Sequence, residues 1–189
     1  MKIFRSRLFK VLVLLFILGI VLGIISYYLL DKNNNLINYF NLLESDNYSY
    51  VNYLIKTILY NYKYSFIIWI SGIIIFISFT IPIIVILRGI ITSYTIINIF
   101  YLFKLKGLII SFILLFPCVL INELVYLLLS YYSINFSFKT YKAIKHNKSI
   151  NIKSYIKNYF YILVISFIIL LISSIFDTYI SSNLIKFVI

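Results

Sequence analysis

Two carboxylic acids interrupt long apolar runs: Glu123 within residues 107–132, and Asp177 toward the far end of residues 159–180. An ionised side chain at mid-bilayer costs roughly 2.5–3.5 kcal/mol even on permissive scales, so such residues are paired, hydrated or functional. Arg88 is the natural partner for Glu123. It falls between the apolar runs 65–87 and 89–103, where a tight turn is expected, and its long stem can snorkel to the surface or reach inward. A buried Arg88–Glu123 pair would fix how two helices pack. A Glu123 free to titrate would suit a proton or substrate relay. Both readings stay open on sequence grounds. Asp177 is close enough to the run's outer end to stay hydrated. Asn122 adds an amide beside Glu123, while Pro82 and Pro117 sit inside apolar runs, where each removes a backbone donor and should bend its helix.

Catalytic chemistry does not assemble from the remaining residues. The single histidine, His146, lies among lysines, and the single cysteine, Cys118, lies in an apolar run. There is no H-E-x-x-H pair, G-x-S-x-G elbow, glycine-rich phosphate loop or cysteine pair. The expectation is therefore no enzyme, no catalytic residue, no metal and no cofactor.

The elements that must position Arg88 and Glu123 follow from composition. Of 189 residues, 63% are hydrophobic and 12% charged, against roughly 45–50% and about 25% in soluble domains. This excludes disordered, collagen-like and coiled-coil chains and points to an all-α, polytopic membrane helix bundle forming one domain over residues 1–189. A helical crossing needs about 20 apolar residues, and five candidate transmembrane helices emerge: 8–30, 65–87, 89–103, 107–132 and 159–180. The first is too long for a cleavable leader and should persist as an anchor.

Charge sets the expected orientation. The net charge of +12 is distributed between apolar blocks, which reads as cytoplasmic lysine and arginine and not as a nucleic-acid surface. Lys2, Arg5, Arg7 and Lys10 precede the first span, and residues 133–158 carry six lysines without an acid. Five spans put both in the cytoplasm, with the N-terminus inside, the C-terminus outside and 31–63 as an outer segment. From Tyr48, Val51, Leu54, Ile55, Ile58, Leu59 and Tyr62 recur at helical spacing. They predict an amphipathic helix, either on the outer surface or extending the second span. The basic loop 133–158 should lie against an anionic leaflet. Trp69 is expected near the outer boundary. Gly19 and Gly23, one turn apart, permit close approach of another helix, from this chain or from a partner.

The second to fourth spans resemble the stage II sporulation protein M family of bacterial integral membrane proteins. The resemblance rests on Asn61-Tyr62-Lys63, Ile68-Trp69-Ile70-Ser71-Gly72, Pro82, Arg88-Gly89, Gly107, Phe116-Pro117, and Asn122 with Glu123. The chain departs at Ile90 to Ser93, where relatives carry more glycine, and at Cys118-Val119. The resemblance implies a non-enzymatic membrane scaffold that recruits peptidoglycan-degrading proteins, D and P of the same sporulation stage, during engulfment. Membrane lipids would be its other partners, and the outer segment, with Asn38, Tyr39, Phe40, Tyr48 and Tyr53, its docking surface. The alternative is a small transporter or permease component using Glu123.

Overall fold

The computed structural model describes residues 6–29, 50–110, 116–145 and 152–181. Five helices make up nearly all of them, with no strand among the described residues: α1 (Arg7–Leu29), α2 (Tyr50–Ile73), α3 (Thr80–Ile110), α4 (Phe116–Lys145) and α5 (Ile152–Phe176). A 3₁₀ turn, Ile75–Phe79, joins α2 to α3, and one π-helical turn, Asp177–Ser181, closes α5.

The outside of the molecule is apolar, and its inside holds polar side chains as well as apolar ones. Leu14, Leu18, Ile83, Ile165 and Ile172 are exposed, whereas Asn61, Arg88, Glu123, Ser65, Ser130, Ser133 and Ser174 are buried. That inverts the soluble pattern and suits a hydrocarbon solvent. Four segments are long and apolar enough to cross a membrane: Arg7–Leu29, Ile75–Asn98, Cys118–Lys145 and Tyr155–Tyr179. The five expected spans thus become four by composition, because α2 carries Lys56, Lys63, asparagines and tyrosines. Even so, α2 shares the inverted surface, with Val51, Ile55, Leu59 and Phe66 outward and Asn61, Ser65 and Ser71 inward. The surface-lying helix expected from Tyr48 is not seen. Residues 50–73 form one helix packed on α4 and α5, as an extension of the expected second span would, while Tyr48 lies outside the described residues.

The expected turn at Arg88 is also corrected. Arg88 and Gly89 lie well inside α3, and the chain reverses instead at Ile75–Phe79. Pro82 explains the choice: it cannot donate to the preceding turn, so it fits the first turn of a new helix and not the middle of an old one. The Ser78 hydroxyl donates to the Ile75 carbonyl (2.7 Å) and that of Thr80 to the Ile77 carbonyl (2.8 Å), which satisfies acceptors at the break. Pro82 is thus third in α3 and not the mid-helix kink expected, while the turn that precedes Pro117, residues 111–115, lies outside the described residues. The irregularity in α3 is at Lys104, whose φ of 51° and ψ of −127° bend the helix, near the expected boundary between residues 103 and 107. The basic loop is helical as well: α4 continues to Lys145 and α5 starts at Ile152, while His146, Lys148 and the rest of 146–151 lie outside the described residues.

Contacts fix the directions. Gly19 meets Gly89 and Gly23 meets Ser93, so α1 and α3 run parallel. Phe9 rests on Tyr131, and Leu12 clusters with Val85 and Leu127, which makes α4 antiparallel to both. Asn61 meets Tyr126 and Gly72 meets Ser133, so α2 runs with α4. The pairs Asn61–Ser174 and Trp69–Tyr159 set α5 against α2. Helices consecutive in sequence therefore alternate in direction around a central α4, whose Tyr126 and Leu129 pack with Ile68, Ile81 and Leu170. Arg7, Lys10, Lys139, Lys142, Lys145 and Lys157 gather at one end with the α2–α3 turn. Lys56 and Asp177 mark the other. Trp69, expected near the outer boundary, stacks on Tyr159 toward the lysine-rich end.

Candidate functional site

Arg88 on α3 and Glu123 on α4 meet because antiparallel packing brings two turns of these helices to the same level. The Arg88 Nη2 lies 2.6 Å and Nε 3.1 Å from Glu123 Oε1. The Thr92 hydroxyl, one turn along α3, is 3.2 Å from the same oxygen and 2.8 Å from the Arg88 carbonyl, two acceptors for one proton. Arg88 is 7% exposed and Glu123 5%. Burial at that level forbids either charge from standing alone, and the convergence of donors on one oxygen is what makes the pair tolerable.

Three tyrosines complete the enclosure. The guanidinium carbon lies 4.4 Å from the Tyr126 ring centroid, 5.0 Å from Tyr64 and 5.7 Å from Tyr60. Their negative ring faces favour a cation where water is scarce. Tyr60 and Tyr64 come from α2 and Tyr126 from α4, so one arginine ties three helices together. A polar clasp continues from there. The Tyr126 hydroxyl lies 3.1 Å from Asn61 Oδ1 and donates to it, and Asn61 Nδ2 donates to Ser174 Oγ on α5 (3.0 Å). Ser174 in turn donates to the Leu170 carbonyl at 2.8 Å.

A cleft of about 410 Å³ opens beside this cluster, between α2, α3 and α4 and toward the π turn after α5. Tyr53, Lys56 and Asp177 line it together with Arg88, Asn122 and Glu123. The Tyr53 hydroxyl is 3.5 Å from Asp177 Oδ2. Asn122 Oδ1 is buried without a hydrogen-bond partner among the described residues. The cleft can take a small polar guest. To take up a proton, however, Glu123 would have to lose the charge that neutralises the buried Arg88. Among the described residues no three of His, Cys, Asp and Glu come together as a metal site would require.

The expected site residues therefore divide into groups. Arg88, Glu123, Asn122 and Asp177 converge on one cleft. Gly19 and Gly23 belong to a separate seam within the chain: a Cβ on Gly19 would strike the Ile86 carbonyl, and one on Gly23 the Ser93 side chain. Pro117 belongs to α4, and its surroundings lie outside the described residues. The cage tyrosines and Thr92 were not anticipated. With Arg88 assigned to a turn, rings on α2 are out of reach. The signal for α2 is Asn61 and Ser65, polar residues one turn apart among outward apolar positions.

Comparison with known proteins gives one finding that spans the chain. No curated protein and no solved structure matches it. A family model described as Stage II sporulation protein M matches residues 12–182, a stretch that runs from α1 past the end of α5 and includes Arg88, the cage and Glu123. The chain belongs to the stage II sporulation protein M family.

Proposed function

We propose that this protein is a non-enzymatic, multi-pass scaffold in the cell membrane that positions peptidoglycan-degrading proteins, of the kind that sporulation stage II proteins D and P represent. Family membership supports the reading, and the Arg88–Glu123 pair is the observation that carries it. Both charges are held in fixed hydrogen bonds and an aromatic cage. Such an arrangement stiffens a membrane body and leaves neither group poised to cycle. All five helices cross in this reading, with the lysine-rich end in the cytoplasm by the positive-inside rule. The N-terminus is then inside and the C-terminus outside. The outer segment expected over 31–63 is then shorter, because Tyr60 and Asn61 sit inside the bundle beside Arg88 and Tyr126. It keeps the start of α2, with Tyr53, and residues 31–49, which include Asn38, Tyr39, Phe40 and Tyr48 and lie outside the described residues.

Co-purification from the host in mild detergent should recover cell-wall hydrolases, and their loss on replacement of residues 38–40 would map the contact. Recovery of none would overturn the scaffold. Reporter fusions after residues 40 and 148 test orientation independently, expected outside and inside respectively.

A second reading, a transporter or permease component, draws on the cleft that reaches Glu123 and Asn122. It expects Glu123→Gln to abolish solute uptake with the fold intact. Unchanged uptake alongside retained hydrolases rejects it.

A further inference from the structure

At the lysine-rich end, away from the Arg88 cluster, α4 and α5 line a second cavity of about 320 Å³. Tyr131, Asn135 and Lys139 of α4 and Tyr155 and Asn158 of α5 line it. Lys139 and Asn158 are exposed at its rim, and the Lys139 ammonium sits 5.3 Å from the Tyr155 ring centroid. The charge at this end has one sign. The chain has five acids, and the described ones, Glu123 and Asp177, are both remote. Glu123 lies about 18 Å up α4 from Asn135 at the helical rise per residue, and Asp177 lies at the opposite end of α5. Lys142, Lys145 and Lys157 are exposed on the same end.

One wall of the cavity is a stack of rings. Tyr155 lies on Phe136 (5.3 Å, 11°), Phe136 on Tyr159 (4.3 Å, 15°) and Tyr159 on Trp69 (5.5 Å, 13°). The Tyr159 hydroxyl lies 2.8 Å from the Trp69 carbonyl and 2.7 Å from Ser133 Oγ. With one proton it donates to the carbonyl, which can only accept, and receives from Ser133. The wall is therefore rigid, and it connects the cavity to the chain's single tryptophan.

We propose that this cavity binds the phosphate headgroup of an anionic phospholipid from the leaflet at the lysine-rich end. Lys139 supplies the cation, Asn158 and the Tyr131 and Tyr155 hydroxyls supply donors, and the apolar outer faces of α4 and α5 hold the acyl chains. Tyrosine and lysine at a membrane interface are the groups that meet a lipid phosphate there, and basic cavities between helices take anionic headgroups. The proposal does not depend on the scaffold reading or on which side of the membrane this end faces.

The test uses the full chain reconstituted in phosphatidylcholine vesicles with increasing phosphatidylglycerol, reading the emission of Trp69. A saturable shift at low phosphatidylglycerol content is expected. Lys139→Gln should move its midpoint about fivefold higher, the factor expected for one base near the surface. Asn158→Ala should move it in the same direction, which keeps the test alive if Lys139→Gln inserts poorly. Lys56→Gln, at the opposite end, should leave the midpoint alone. A response that rises linearly without saturation, equally in both cavity variants, would overturn the site and leave only general surface charge. A shift produced by inorganic phosphate in pure phosphatidylcholine would overturn the lipid as its source and reassign the cavity to a soluble phosphate compound.

Discussion

On its α1 side, helix α3 meets its neighbour through bare backbone: Gly19 and Gly23 lie against Gly89 and Ser93, with room for no further carbon. On its α4 side the same helix is held by charge, with Arg88 gripping Glu123 inside a tyrosine cage. The contrast follows from the solvent. In hydrocarbon, apolar side chains gain little by leaving lipid for protein, so association must come from close van der Waals contact or from hydrogen bonds. α3 uses one on each side. The first seam fails when something is added, the second when something is removed.

Removal at the charged seam should have the largest effect. Glu123→Ala leaves Arg88 buried and uncompensated, a change expected to cost about 3–5 kcal/mol. Unfolding in detergent, followed by helical signal against denaturant, measures it. The paired change Arg88→Met with Glu123→Leu should recover most of that loss, because it removes both charges and keeps the volume. A single-variant loss below about 1 kcal/mol would mean that water in the adjoining cleft solvates Arg88, and the contrast between the seams would collapse.

Addition at the glycine seam comes next. A Cβ on Gly19 would fall on the Ile86 carbonyl, and one on Gly89 on the Phe16 carbonyl. Backbone cannot step aside as a side-chain tip can, so Gly19→Ala and Gly89→Ala should each cost about 1–3 kcal/mol. The double variant should cost less than the sum, since the first change already separates the helices. Strict additivity would show that the two glycines act independently of the seam.

How far the sequence anticipated this contrast depends on residue type. Gly19 and Gly23 were legible because small residues one turn apart have few uses inside an apolar run. Arg88 and Glu123 were legible because interior charges demand partners. The cage was not, since it depends on where the chain turns. An apolar stretch from Ser65 to Phe103 is too long for one crossing, and a basic–glycine step is a plausible place to divide it. The actual reversal at Ile75–Phe79 is almost wholly apolar, with Phe76 and Phe79 outward, so apart from Ser78 it carries none of the usual turn residues. Pro82 was the available clue. Reading it as the first turn of a helix, and not as a kink, moves Arg88 about two turns inward and brings Tyr60 and Tyr64 within reach.

Tyr126→Phe separates the two duties of one cage residue. The ring over Arg88 stays, while the hydroxyl that meets Asn61 is lost. Interhelical hydrogen bonds in membranes average about 0.6 kcal/mol and reach about 1.7, so the loss should fall in that range, well below that of Glu123→Ala. A cost near 3 kcal/mol would place the Tyr126–Asn61–Ser174 clasp, and not the ion pair, at the centre of the polar seam.

The smallest effect is distinguished by its sign. One turn beyond Asn61 and Tyr126 come Ser65 and Ser130, each fully buried, and neither hydroxyl has a hydrogen-bond partner among the described residues. Their neighbours along the same faces, Asn61 and Ser133, are paired. A buried hydroxyl without a partner is a cost that a methyl group does not carry. Small size, and not polarity, is then what these two positions require, as at the glycine seam. Ser65→Ala and Ser130→Ala should therefore be neutral or stabilising by up to about 1 kcal/mol, whereas Ser133→Ala, which takes a partner from Tyr159, should destabilise. Measured side by side, the three alanines locate where hydrogen bonding ends and close packing begins along α2 and α4. A clear loss at Ser65 or Ser130 would extend the hydrogen-bonded seam by another turn.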